Sequence, residues 1–554
     1  MKQLFRQNKA IFPLALALLS LGAAEAQAQQ TPTFSRQDTL RGTITPERAW
    51  WDLSYYHLNI KVNPTDSTIY GVNTIQYKVL EPHQVMQIDL QPPMRMEKVM
   101  QNGKQLEVKQ EGNAYFVQLA EQQKPGAVNK VDVHYGGKPQ VSVNPPWSGG
   151  ITWRRDNNGK PFIASSNQGD GASLWWPCKD HMYDEPDSML ISVSVPKELT
   201  DVSNGRLRKI DENPDGTRTF HWFVSNPINN YGVNINIGDY VHFGEKYKGE
   251  KGLLDCDYYV LRDNLEKAKK QFKDVPRTMQ ALEHWFGPYP FYEDSYKLVE
   301  VPYLGMEHQS SVTYGNGYQN GYRGKDLSGT GWGLKFDFII IHETGHEWFA
   351  NNITYKDVAD MWIHESFTAY SESLFLDYHY GTKAGNEYTI GKRATIKNDR
   401  PMIGLYDVNY AGSGDMYNKG ANMLHTLRQL VNDDDKFRSI LRGLNKDFYH
   451  QTVTTQQIEG YLAKHSGKDL SLFFDQYLRD TRIPELEYRQ EKNKLVYRWN
   501  NVVEGFDMPV KVYLNGKEQW LNPSTEWKEI KKVKAGSTFT VDPNFYVTAS
   551  SQTT

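Results

Sequence analysis

The chain is expected to fold as a multidomain α+β protein: an N-terminal antiparallel β domain, a mainly helical domain and a small C-terminal β domain. Three observations predict this. The first is length, because 554 residues exceed what one hydrophobic core usually serves. The second is an early run of alternating apolar and polar residues. The third is a switch to helical spacing near residue 260, with a return to alternation near 483.

The N-terminus comes first. Lys2, Arg6 and Lys9 precede an apolar stretch at 11–24, and Ala26-Gln27-Ala28 then offers a small-x-small cleavage pattern. A charged head, a short apolar centre and such a site describe a secretory signal peptide at 1–28. The apolar stretch is shorter than the ~20 residues a spanning helix needs. An exported protein, periplasmic or secreted, without stable membrane insertion after cleavage is therefore expected. A polar, Pro-containing connector is expected at 29–48.

Alternation at 55–62, 72–79 and 130–135, punctuated by Gly, Asn, Pro and Asp, predicts the β domain over 49–245. Residues 264–286 then carry Ala268, Phe272, Val275, Met279, Leu282 and Phe286 at helical spacing, before a break at Gly287-Pro288. Further helical windows follow at 336–351, 362–380, 420–432 and 455–464, with a Gly/Asn/Tyr-rich loop at 314–333. The helical domain is bounded at 246–482, and the last β domain at 483–554. In the latter, Asn515-Gly516 is a hairpin-turn signal.

Composition is that of an ordinary globular protein, with 39% hydrophobic and 23% charged residues. A net charge of -3 gives no reason to expect nucleic acid as a partner. Two cysteines, Cys178 and Cys256, allow one disulfide or two buried thiols, and neither has metal-ligand spacing.

Chemistry concentrates in His342-Glu343-Thr344-Gly345-His346. On a helix the two histidines stand at i and i+4, so both imidazoles can reach one ion, and Glu343 can reach a water beside it. Eighteen residues separate His346 from Glu365, which sits in a second helical window. Two imidazoles, one carboxylate and an open position describe a catalytic site for a single zinc ion, since a structural site is normally closed by four protein ligands. In such a site Glu343 serves as general base.

The run from His342 to Asn352, continued by Trp362 and Glu365, resembles the aminopeptidase N and leukotriene-A hydrolase family of zinc metallopeptidases. Three other segments match in order. Gly305-Met306-Glu307 is similar to the family's G-x-M-E-N motif, although Leu304 stands in its first position and His308 in its last. The resemblance implies that Glu307 binds the substrate's α-ammonium, with Gly305 and Met306 beside it. Tyr417-Asn418-Lys419-Gly420 is similar to the Y-x-K-G segment, which implies that Tyr417 stabilises the oxyanion. Gln168, nine residues before Pro177, matches a family Gln or Glu that also touches the amine.

The resemblance covers about residues 50–484. It implies a thermolysin-like catalytic domain at 246–482 and an aminopeptidase acting on peptides with a free N-terminus. About seventy residues follow Ile483, fewer than the large helical C-terminal domain of many relatives occupies. A zinc endopeptidase or an epoxide hydrolase of the same family, and a catalytically inactive peptide-binding protein, stand as alternative activities.

Overall fold

A computed structural model describes residues 32–552; the signal peptide expected at 1–28 lies outside the described residues. An eight-stranded sheet forms the first body, with strands in the order Arg206–Glu212, Thr217–Val224, Ser188–Pro196, Trp51–Asn63, Thr68–Val79, Val128–Gly137, Arg95–Gln101 and Lys104–Gln105. Alternation put Leu58, Ile60 and Val62 on one face of its central strand, and all three are buried. The sheet is not wholly antiparallel: Trp51–Asn63 runs parallel to Ser188–Pro196, with Tyr55 opposite Ser188. A parallel pair needs a long crossover. Here the crossover carries the strands Gly150–Arg155 and Pro161–Ser166 and the turn that bears Gln168.

The described part of the connector, 32–48, is more ordered than its composition suggested. It holds the helices Arg36–Gly42 and Pro46–Ala49, and Ser35 closes a capping box with Asp38. Arg48 is fully buried, pairs with Asp89 at 2.6 Å, and donates to the carbonyls of Leu40, Arg41 and Thr43. A buried guanidinium with this many acceptors welds the segment to the β domain.

A second sheet runs Tyr240–Gly249, Gly252–Leu261, Tyr296–Glu300, Val312–Tyr314 and Gly305–Met306, the last at its edge. Asp274–Phe286 and Phe338–Gly345 pack against it, Trp362–Tyr380 packs on those two helices, and Asn418–Val431 packs on Trp362–Tyr380. One continuous apolar cluster joins this body to the C-terminal strands, which form sheets of four and three. Val510–Leu514 and Lys517–Leu521 pair as a hairpin across Asn515-Gly516, whose φ values of 51° and 74° are those of a type I′ turn. Cys178 and Cys256 are both buried and free, so the disulfide alternative falls away.

Candidate metal centre and substrate cleft

Asp337 starts the first site helix. Its side chain accepts from Ile339 N and Ile340 N, and it is itself held by Tyr314, Gln271 and Asn316. The helix Phe338–Gly345 ends sooner than its apolar spacing suggested. His346 lies one residue past its end and still carries right-handed helical angles, so both imidazoles face one side. The second helix, Trp362–Tyr380, is buried from Trp362 to Leu376. The two cross at Gly345, where an added Cβ would stand 2.7 Å from Ser371 Oγ and 3.2 Å from Thr368 Cγ2. That close crossing brings Glu365 against the histidines.

The ligand atoms of His342, His346 and Glu365 all lie within 4.8 Å of one another. Glu365 Oε2 is 3.4 Å from His346 Nε2 and 3.8 Å from His342 Nε2. It is buried without a hydrogen-bond partner. Two ligands ~2.1 Å from one tetrahedral ion stand about 3.4 Å apart. An orphaned carboxylate oxygen facing two imidazole nitrogens at this spacing therefore fits zinc. Both histidines are oriented through their other nitrogen: His342 Nδ1 meets Glu372 Oε1 at 2.9 Å, and His346 Nδ1 meets Phe349 O and Thr368 Oγ1, each at 3.0 Å.

The electrostatics agree. Burial opposes charge on His342, but the nearby carboxylates of Glu365 and Glu372 prevail and raise it to about 10. Burial likewise opposes charge on His346, yet Glu365 and Glu307 lift it to about 8. Burial works to raise Glu365, but the two imidazoles hold it below the usual carboxylate range. This is a pocket that favours positive charge, and a metal ion displaces the protons that would otherwise supply it. Burial pushes Glu343 up to about 7; a cation beside it would act in the opposite direction.

Other predicted residues reach the same cleft, a cavity of about 450 Å³ lined by Gln168, Gly305, Met306, Glu307, Glu343 and Tyr417 together with the three ligands. Gly305 and Met306 form the edge strand. A Cβ at Gly305 would meet Ile339 Cγ2 at 2.7 Å, so glycine lets this strand lie against the metal helix. Glu307 follows, buried, and accepts from Tyr231 OH at 3.1 Å. Its backbone is tied down too: Asn351 donates to Glu307 O, and Glu347 accepts from Ser310 N. His308, where the motif has Asn, is buried and pushed down to about 3 by burial, hence neutral. Tyr417 sits at the rim, 37% exposed, with its ring stacked on His342 at 6.0 Å. Burial of its hydroxyl, with the carboxylates of Glu365 and Glu307 nearby, holds the phenol well above 10 and therefore protonated.

Gln168 has a contact the sequence did not suggest: its Nε2 donates to Glu365 Oε1 at 3.0 Å. Its turn is gripped at the next carbonyl, Gly169 O, by Arg41 at 2.9 Å and Asn409 at 3.1 Å. Tyr231, Glu372, Asn351, Arg41 and Asn409 were all missed. Only Glu372 left a signal, standing seven residues beyond Glu365 on the same helix face. His364, although adjacent to Glu365, points elsewhere and accepts from Tyr355 N at 2.8 Å.

Comparison with known proteins matches residues 271–477 to the peptidase family M1 domain and residues 53–231 to the peptidase M1 N-terminal domain. Leukotriene A-4 hydrolase of Xenopus laevis is 24% identical over 348 residues, 58% of this chain and 54% of that protein. A probable aminopeptidase 2 of Sulfurisphaera tokodaii is 21% identical over 62% of this chain and 45% of its own length. The chain thus spans about half the length of these relatives. Among solved structures, an M1 zinc metallopeptidase of Deinococcus radiodurans superposes with a TM-score of 0.64 at 21% identity, covering 76% of this chain and 91% of that one. A glutamate-to-alanine variant of that protein, bound to a Tyr-Ser-Ala substrate, superposes with a TM-score of 0.65 at 20% identity, covering 78% and 95%.

Proposed function

We propose that this chain, which belongs to peptidase family M1, is a zinc aminopeptidase that releases N-terminal residues from peptides with a free amine. The observation that carries this reading is the position of Glu307. Glu307 as a residue is 2% exposed, and its carboxylate lies within 4.8 Å of the ligand atoms of both Glu343 and His346. A fixed carboxylate at that distance pairs with an α-ammonium and leaves no room for a chain continuing past it. Glu365, as an ionised acceptor, takes the NH₂ of Gln168, so the Gln168 carbonyl is left to accept from the same ammonium.

His342, His346 and Glu365 would hold the zinc, which supplies Lewis-acid polarisation of the scissile carbonyl and acidifies water at the site. Glu343 takes the proton of the attacking water and returns it to the leaving amine. Tyr417, protonated at the rim, donates its O–H to the developing oxyanion. Export of the protein belongs to the same proposal and is supported by the leader-like segment at 1–28.

The test compares aminoacyl amides with their N-acetylated forms, with and without chelator. Only the free-amine substrates should be cleaved, and chelator should abolish cleavage. Glu307→Ala should lower kcat/KM on aminoacyl amides about a hundredfold, the loss expected when a charged hydrogen bond is removed, while zinc content stays at one per chain. Equal rates on free and acetylated substrates would reject the amine anchor.

A further inference from the structure

The wall of the cleft contributed by the first β domain ends in a tryptophan for which the catalytic reading has no use. Trp147 is 59% exposed and lines the same cavity as Gln168, Glu307 and His342. Among the described residues its indole has neither a ring partner nor a hydrogen bond. What sets it apart from the other exposed aromatic rings is its place in the lining of this cavity, where an apolar group of a bound peptide can cover it.

The loop that carries it is firmly held. Ser142 Oγ donates to Ser148 O at 2.5 Å, Asn144 N to Ser148 Oγ at 2.7 Å, and Ser148 N to Asn144 O at 3.0 Å, closing the segment 142–148 on itself. Next in the chain, Gly149 N donates to Asp170 Oδ2 at 2.6 Å, which joins this loop to the turn bearing Gln168. The two segments touch without slack: a Cβ on Gly149 would stand 2.5 Å from Leu174 Cδ1 and 2.7 Å from Asp170 Cβ. Trp147 and Gln168 thus share one backbone platform. Leu304 and Met306, both apolar and buried, line the same cavity.

We infer that Trp147 is a specificity residue that receives the side chain of the substrate's first residue, and that the enzyme therefore selects peptides beginning with aromatic or large aliphatic residues. The inference rests on the aminopeptidase reading, because Glu307 and Gln168 fix the amine and so define which residue lies nearest Trp147. The physical basis is pre-organisation. The indole is already presented on fixed backbone, so covering it with an apolar side chain gains burial and ring contact at little ordering cost.

The experiment uses the full-length zinc-loaded enzyme. Phenylalanyl, leucyl, alanyl and lysyl amides are compared for wild type, Trp147→Ala and Trp147→Phe. The ratio of kcat/KM for phenylalanyl over alanyl amide should fall about tenfold in Trp147→Ala, chiefly through KM, and Trp147→Phe should keep most of it. Calorimetry in a Glu343→Ala background, with Phe-Gly and Ala-Gly, should show the same change in affinity ratio without turnover. A ratio within twofold of wild type, or a changed preference only at the second residue, would overturn the inference. If free-amine substrates are neither bound nor cleaved while acetylated ones are, the aminopeptidase reading fails and the inference with it.

Discussion

Glu372 accepts three donors at once: His342 Nδ1 at 2.9 Å, Tyr388 OH at 2.7 Å and Lys392 Nζ at 2.7 Å. Its carboxylate is buried, so the geometry is not shared with solvent. With Nδ1–H committed to Glu372, the lone pair of His342 Nε2 is left for an ion. Glu372→Ala should weaken zinc binding about 10–100-fold, read by competition with a chelating dye. Unchanged affinity would show that the imidazole is oriented by packing alone. His342, His346 and Glu365 were legible in the sequence because ligand spacing is a local property of helices. Glu372 was less so, because helical glutamates are common and only the fold shows which one meets an imidazole. Tyr231 was illegible: it reaches Glu307 across 76 positions of sequence, and one tyrosine among 34 carries no local mark.

At the scale of elements, Gly420 has two opposed effects to separate. It lies in the helix Asn418–Val431, directly after Tyr417, where alanine would ordinarily favour the helix by about 1 kcal/mol. An added Cβ would stand 1.9 Å from Ser366 Oγ and 2.6 Å from Ser366 Cβ, on the helix that carries Glu365. Ser366 cannot simply turn away, because its hydroxyl is bonded to Met416 O at 2.7 Å. Overpacking of this kind costs about 1–3 kcal/mol. Gly420→Ala should therefore lower the thermal midpoint and reduce kcat by displacing Tyr417, and a raised midpoint with intact kcat would refute the steric account. Periodicity located the helices at the site and gave Trp362–Tyr380 its observed ends, but it overran the first helix. The window 336–351 continues in sequence past the true end, and the chain leaves the helix at Gly345, with Ala350 at a φ of 156°. There, tertiary bonds from Glu347 and Asn351 to the Glu307 loop override local preference. The connector helix Arg36–Gly42 was hidden for a related reason: it is stabilised by Arg48 and by contacts on the 407–409 loop, not by an amphipathic pattern of its own.

Over the whole molecule, the order of β, helical and β regions was readable from the changes in period, but how the last body docks was not. His425 is central to that docking. Its Nε2 meets Asn544 Oδ1 at 3.0 Å, and its Nδ1 meets Tyr370 OH at 2.9 Å. Around it, Tyr546 N donates to Thr426 Oγ1, Tyr477 OH donates to Tyr546 O, and Arg393 donates to Pro543 O. Burial, with Arg428 and Arg393 adding repulsion, pushes His425 down to about 3 from 6.5. The folded chain thus holds this imidazole neutral while the unfolded chain protonates it below pH 6.5. Between pH 6.5 and 3 the unfolded state binds the extra proton, so stability rises with pH across that window. The contribution is full above pH 6.5 and is lost on acidification by about 1.4 kcal/mol per pH unit. His181 and His308, also pushed down to about 3 by burial, add to the same slope. Thermal midpoints measured from pH 7.5 to 4.5 should fall for wild type and fall less for His425→Gln, which keeps a donor and an acceptor but has no titrating ring. Because the other two histidines are untouched in that variant, part of the acid slope should survive. Superimposable midpoint curves for the two proteins would mean that the proton enters His425 without cost and that the C-terminal body does not depend on its neutrality.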